Sequence, residues 1–228
     1  MKKATKLVVA ILVFTMAIIT TIGAAPSDKA VSTKEIISSI AAEHAEAISG
    51  SKSASTVARG VTVEATEYAT AKMMTEINLA YDKEVTDSLF SNGVISQTQK
   101  AKMQRNHAAL KTTEAIEEYV IRYTVERNVL KKAVSEYGIS LDLSAASEYV
   151  EQMEKLPRPN EFALTYVEYV DSIAKGLGMT YDEYKTKVII PDKALSLAIE
   201  VFKRMVEYDN WDDYVLYLVH EAAAELDK

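Results

Sequence analysis

Three histidines, His44, His107 and His220, are the side chains best suited to metal or proton chemistry in this chain. A carboxylate-bridged dimetal site in a helical bundle needs Glu three residues ahead of His on two helices. The residues at those positions are Ala41, Gln104 and Tyr217, so the spacing for that site is missing. His220-Glu221 opens like the helical zinc-protease motif, but the second His does not follow. There is no Cys, which excludes disulfides, thiolate nucleophiles and Cys-ligated metals. A Gly-x-Ser-x-Gly elbow and a phosphate-cradling Gly-rich loop are both missing. Acid pairs such as Glu117-Glu118 and Asp212-Asp213 offer carboxylates, but neighbours on a helix point about 100° apart and do not converge on one atom. Their reading is a solvated face. Neither a metal, a cofactor nor enzyme activity is expected.

Aromatic chemistry is better represented. The chain holds 13 Tyr against 4 Phe, with 8 Met beside them. Tyr joins a broad apolar ring to a polar tip and has few rotors, and Met flexes to fit varied surfaces. A deep core has little use for a hydroxyl, so the surplus of Tyr over Phe points to half-exposed aromatic surfaces. Side-chain type and position single out Met73, Tyr81, Tyr123, Met153, Tyr166, Tyr169 and Met205 as candidates to line a peptide-binding surface.

Helices must carry these side chains. Only 7 Gly and 4 Pro occur in 228 residues, while the strong helix formers Ala, Glu, Lys, Leu and Met abound. The formal charge is -7. Residues 1–25 hold Lys2, Lys3 and Lys6 and no acid, so three fewer cations against the same 33 acids leave the remainder at -10. Such an acidic body repels phosphate backbones, which excludes nucleic acid as a partner, and disfavours anionic membrane surfaces. Met1 to Lys6 is basic and Leu7 to Ala25 is an uncharged run, the layout of a secretory signal peptide. About 19 apolar residues also nearly suffice to span a bilayer, so a retained anchor is the alternative. Either way the body is expected outside the cytoplasm, secreted or held at the outer face of the membrane through this segment alone.

Capping signals divide the rest. Ser32 to Glu35 has capping-box spacing and predicts a helix from about Thr33 to Ser49, followed by a Ser-rich flexible spacer at 51–56. Residues 26–56 therefore read as one helix plus a linker. Val57 to Thr62 reads as a short extended turn, with Thr62 capping a helix to about Phe90. Ser96-Gln97-Thr98-Gln99 is a second box, opening a helical pattern to Tyr137 with a break near Lys111-Thr112-Thr113. On it Ile116, Val120, Tyr123, Leu130, Val134 and Tyr137 share one apolar face. Ser144 is expected to cap a helix to Leu156, and Asn160 the next, which carries Phe162, Tyr166, Tyr169, Val170 and Ile173. Thr180 to Glu183 is a third box, Pro191 is placed in a turn before a helix to about Tyr208, and Asp209 or Asn210 caps a last helix from Trp211. The fold class is all-α, an irregular multi-helix bundle of about seven to nine helices without a convincing strand.

One stretch resembles a known family. Val57-Ala58-Arg59-Gly60-Val61-Thr62-Val63-Glu64-Ala65-Thr66-Glu67-Tyr68 is similar to the opening of the N-terminal chaperone module of the SurA and PrsA foldases. Tyr119 to Ser140 resembles that family's long helix ending in Gly, and Asp142 to Gln152 the short helix after it. Gly178 to Tyr184 is similar to its second Gly-x-Thr/Ser helix start, and Trp211-Asp212-Asp213-Tyr214 to its closing segment. The likeness spans 57–228. Asn is expected near Arg59, the lipoprotein Cys of PrsA is missing, and no room for a parvulin domain exists between Lys187 and Trp211. The resemblance implies a SurA N-terminal domain-like fold and a holdase-like chaperone outside the cytoplasm, as in many Gram-positive bacteria, whose partners are unfolded or extended polypeptide segments. It implies no prolyl isomerase activity. The alternative is a dedicated envelope or spore assembly protein that binds one partner or itself.

Overall fold

The computed structural model describes residues 28–50, 55–58, 60–104, 108–206, 208 and 210–226. The leader-like segment 1–25, Arg59, His107, Asp209 and the first part of the Ser-rich spacer lie outside them. The chain is all-α apart from one hairpin. Its elements are α1 (Asp28–Gly50), β1 (Ser55–Ala58), β2 (Val61–Glu64), α2 (Ala65–Ser91), α3 (Gln97–Met103), α4 (Thr113–Glu136), α5 (Leu143–Glu154), α6 (Tyr166–Gly176), α7 (Tyr181–Tyr184), α8 (Ile190–Met205) and α9 (Trp211–Leu226). A π-helical stretch, Lys185–Ile189, joins α7 to α8 without a break. No helix among the described residues is long and apolar enough to cross a membrane.

Local capping chemistry sets many of the boundaries. Ser96 and Thr180 each close a reciprocal capping box, with Gln99 and Glu183 reaching back to the cap N–H. Thr112 caps α4 by accepting from the Ala115 N–H at 3.2 Å, at the foreseen break. Gly138 and Gly178, both at positive φ, stop α4 and α6.

Six expectations need correction. Residues 55–64 form a two-stranded antiparallel hairpin, pairing Ser55 with Glu64 and Ala58 with Val61. Thr62 is therefore a strand residue, and α2 starts behind Glu64. Val61 and Val63 point into the core while Thr62 faces solvent, the period-two alternation of a half-buried strand. Gly60 makes the turn at φ 74°, and its backbone lies so close to α9 that a Cβ would stand 2.6 Å from that of Ala223. At the amino end, α1 begins at Asp28, so Ser32 sits within the helix and caps nothing. Asp142, not Ser144, caps α5. Thr165, not Asn160, caps α6, while the Asn160 side chain holds a turn by accepting from the Phe162 and Ala163 N–H groups at 2.9 and 3.0 Å. Phe162 therefore precedes α6. Finally, Pro191 occupies the first turn of α8, where its missing N–H needs no partner, rather than a loop.

Two large cores follow. In the first, α1 packs against both α2 and α6, burying Ile37, Ala41, Met73, Ile77, Val170 and Ile173. Ser38 Oγ donates to the Ser172 carbonyl at 2.8 Å and Lys34 reaches Glu168 at 2.8 Å, so α1 and α6 run parallel. The second lies between α4, α8 and α9, around Leu130, Val134, Ala198, Phe202 and Val215. A smaller cluster of Val61, Val63, Val125 and Val129 fastens the hairpin to α4.

Candidate functional site

Phe202 is the hub of the second core. It is fully buried, and three rings surround it: Tyr137 at 5.0 Å edge-on, Trp211 at 6.0 Å and Tyr214 at 6.1 Å between centroids. Tyr214 passes the contact outward to Tyr208 at 4.5 Å and Tyr217 at 6.3 Å. Six rings thus form one connected cluster, buried at Phe202 and open at Tyr137, Tyr208 and Tyr217. Edge-on and offset arrangements of this kind add about 0.5–1.5 kcal/mol per pair beyond area burial. Burial pushes the Tyr214 hydroxyl up to about 12, reinforced by its hydrogen bond with Tyr137.

Local sequence explains why these rings meet. Gly138 stops α4 just after Tyr137, so that ring stays at the bundle end. Trp211, Tyr214 and Tyr217 recur every three residues along one side of α9. Asn210 holds the start of α9, accepting from the Asp212 N–H at 3.2 Å and donating to Asp213 at 2.6 Å.

Exposed aliphatic side chains also occur on α5, α8 and α9. α5 and α8 run antiparallel, because Glu154 meets Lys185 at 2.6 Å and the Lys193 ammonium sits 3.4 Å over the Tyr149 ring. That register sets the start of α5 beside the last turns of α8, segments with exposed Leu141, Leu143, Val201 and Met205. These four, with Leu216 and the three open tyrosines, are each between 46% and 55% exposed. They make up eight of the thirteen large hydrophobic side chains found exposed among the described residues. Charges of both signs lie near the rings. Lys203 lies 5.3 Å over the Trp211 ring, Arg204 is exposed at the end of α8, and Asp212 and Asp213 occupy the first turn of α9.

The seven candidates chosen from sequence do not gather into one surface. Met73, Tyr81, Tyr166 and Tyr169 are buried in the first core, and Met153 packs against it. Tyr81 and Tyr169 meet edge-on at 5.2 Å. The Leu164 N–H donates to the Tyr81 hydroxyl at 2.9 Å, and Tyr169 donates to Asn78 Oδ1 at 2.6 Å. Here the core does use the hydroxyls, to tie α2 to α6, so a surplus of Tyr is not in itself a sign of exposure. Burial pushes Tyr81 up to about 12. Tyr123 is half-buried beside the Arg127–Asp192 ion pair that bridges α4 and α8. Only Met205 lies on the exposed aromatic end. Sequence reasoning missed Tyr137, Tyr208, Tyr217, Val201 and Leu216 there, although the three-residue spacing from Trp211 to Tyr217 was a visible signal.

Two of the chemically versatile side chains, His44 and Glu117, have structural partners. His44 Nε2 lies 2.6 Å from Glu76 Oε2 and links α1 to α2; His220 is exposed on α9. Glu117 binds Lys72 at 3.1 Å. No cluster of three metal-ligating side chains occurs among the described residues. A shallow open depression on α4, lined by Asn128, Lys131, Lys132, Ser135 and Glu136, is mainly polar in its residues and offers no catalytic grouping.

Comparison with known protein families, with curated proteins and with solved structures finds no match.

Proposed function

We propose that this protein binds other polypeptides outside the cytoplasm, as a chaperone-like holdase without an isomerase domain, and that the aromatic end around Phe202 is its working surface. The observation that carries the reading is the ring cluster around Phe202, where α4, α8 and α9 share a core and Tyr137, Tyr208 and Tyr217 stay half-exposed. Exposed apolar patches of this kind mark interaction sites. Covering them releases about 25 cal/mol per Å² of apolar area, before the entropy of association is subtracted. The resemblance to the SurA and PrsA chaperone module and the leader-like first 25 residues both support an extracytoplasmic polypeptide binder.

The test is aggregation of an unfolded substrate with the purified protein in several-fold excess, repeated with Met205→Glu. Suppression by the parent and its loss in the variant support the reading. No suppression by either protein counts against it.

A dedicated envelope or spore assembly role is the second reading, and one observation favours it. The tyrosines and methionines that were to line a client groove are mostly core residues, which leaves an end face as the apolar surface. A pull-down returning one stoichiometric partner supports this second reading, and a broad spread of clients supports the first.

A further inference from the structure

The sheet has two strands, so β1 has a strand beside it on one edge only, among the described residues. β2 packs against α2, α4 and α9, whereas β1 has β2 as its one close neighbour among the described elements. The register settles which backbone groups of β1 face outward. Ala58 pairs with Val61 across a two-residue turn, and so short a turn closes only on a pair that exchanges both N–H···O bonds. Antiparallel pairs alternate, so Thr56–Val63 is hydrogen-bonded too, while Val57–Thr62 and Ser55–Glu64 are not. The N–H and C=O groups of Ser55 and Val57 therefore point away from β2, along the outer edge. Proteins commonly blunt such an edge with a charge, a proline or a bulge. β1 has none of these: it reads Ser-Thr-Val-Ala and its register is unbroken. Its two β-branched residues, Thr56 and Val57, favour extended backbone.

We propose that this edge takes an extended, positively charged polypeptide segment as a third strand. The inference rests on the reading of the protein as a polypeptide binder and adds a surface separate from the aromatic end. An extended segment offers the complementary row of N–H and C=O groups, which a helix spends on itself. Charge selects the occupant. The chain beyond residue 25 carries -10, and Glu64 is exposed on the open face of the sheet, in register with Ser55. Two such bodies repel each other, which disfavours a second copy of β1, whereas a cationic chain is attracted. Pairing through backbone groups asks little of the client's side chains, which suits many unfolded clients. The four residues of β1 limit the bound segment to a short one.

The probe is the labelled peptide Thr-Lys-Val-Lys-Val-Lys-Thr, added to the full chain and followed by fluorescence anisotropy and amide hydrogen exchange. In the chain alone the Ser55 and Val57 amides exchange fast, and those of Thr56 and Ala58 slowly. The peptide slows the first two. Val57→Pro deletes an outward N–H without removing a β1–β2 hydrogen bond, so Thr56 and Ala58 stay protected while affinity falls roughly tenfold. The same peptide with every amide N-methylated does not bind the parent, and its counterpart with Glu for Lys binds weakly. Failure of the peptide to bind, equal binding of the N-methylated form, or full affinity in Val57→Pro with the hairpin intact overturns the proposal. So does protection of Val57 that rises with protein concentration alone, which places a second copy on the edge. Suppression of aggregation separates the two readings. If it is present and lost in Met205→Glu while the peptide ignores β1, the aromatic end stands and the edge falls. Pairing at β1 without any suppression keeps the edge and removes the holdase. If neither occurs, both fail.

Discussion

Gly176 meets Ala41 where α6 crosses α1, so closely that a Cβ on Gly176 would stand 2.5 Å from that of Ala41, and nearer still to the Ser38 carbonyl oxygen. The obstruction is backbone on one side and a side chain without rotors on the other, so neither yields cheaply. This approach holds α1 against the main core and lets Ser38 reach the Ser172 carbonyl.

Gly176→Ala is accordingly expected to lower stability by about 1–3 kcal/mol, the usual result of overpacking a tight contact. Gly50, at the end of α1, has nothing within 4 Å of the same added carbon. Gly50→Ala is expected to be neutral or to stabilise by up to about 1 kcal/mol through the unfolded chain. Urea unfolding of the two variants checks the contrast; equal effects would show that the α1–α6 crossing is not tight in solution.

Two buried tyrosines should answer differently to loss of the hydroxyl. Tyr81 accepts from the Leu164 N–H, whereas the Tyr119 hydroxyl is buried with no hydrogen-bond partner among the described residues. Tyr81→Phe strands a buried donor and should cost about 1–3 kcal/mol. Tyr119→Phe removes an unsatisfied group and should leave stability unchanged or raise it by about 1 kcal/mol. Thermal unfolding of both proteins decides the point.

Acid stability should depend on Glu168. Burial works to raise its carboxyl, but the Lys34 ammonium, the Thr165 N–H and the Arg158 guanidinium outweigh it and hold it at about 2. Arg158 donates to both carboxylate oxygens, at 2.7 and 2.6 Å. The folded state therefore binds this proton less tightly than the unfolded chain. Its stabilisation is present above the ordinary glutamate range and is lost as pH falls from there towards about 2. Glu168→Gln should lower stability near neutral pH and flatten the acid limb of the stability curve. An unchanged limb would remove Glu168 as its cause.

Asp192 should act with the opposite sign. Burial raises its carboxyl, against the attraction of Arg127. The folded state holds this proton more tightly than the unfolded chain, so its contribution weakens as pH rises from the ordinary aspartate value through the raised one. Arg127→Met removes the compensating cation and should cost about 1–3 kcal/mol at neutral pH. The deficit should shrink as pH falls towards the ordinary aspartate range, because protonation removes the unpaired charge. Arg127→Met combined with Asp192→Asn should recover part of the loss. Denaturant titrations across this range measure all three.

The all-α class and several helix ends were legible in the sequence because capping is local. Ser96, Thr112, Thr180 and Asn210 each bond backbone groups within three residues, and Gly138 and Gly178 stop helices through their own φ. No distant residue has to be known. The hairpin at 55–64 was hidden because four-residue strands are too short for alternation to stand out, and because Val61 and Val63 are buried largely by α4 and α9, far along the chain. Pro191 misled because proline suits a loop and a first helical turn equally well, and the π-helical stretch ahead of it removed the need for a loop. Which tyrosines are buried could not be read locally at all. Tyr81 and Tyr217 both sit on long helices, yet one is buried against Tyr169 of α6 and the other stays half-exposed at the chain's aromatic end. Periodicity marks an apolar face on a helix, but only the packing of whole helices determines whether another element covers it.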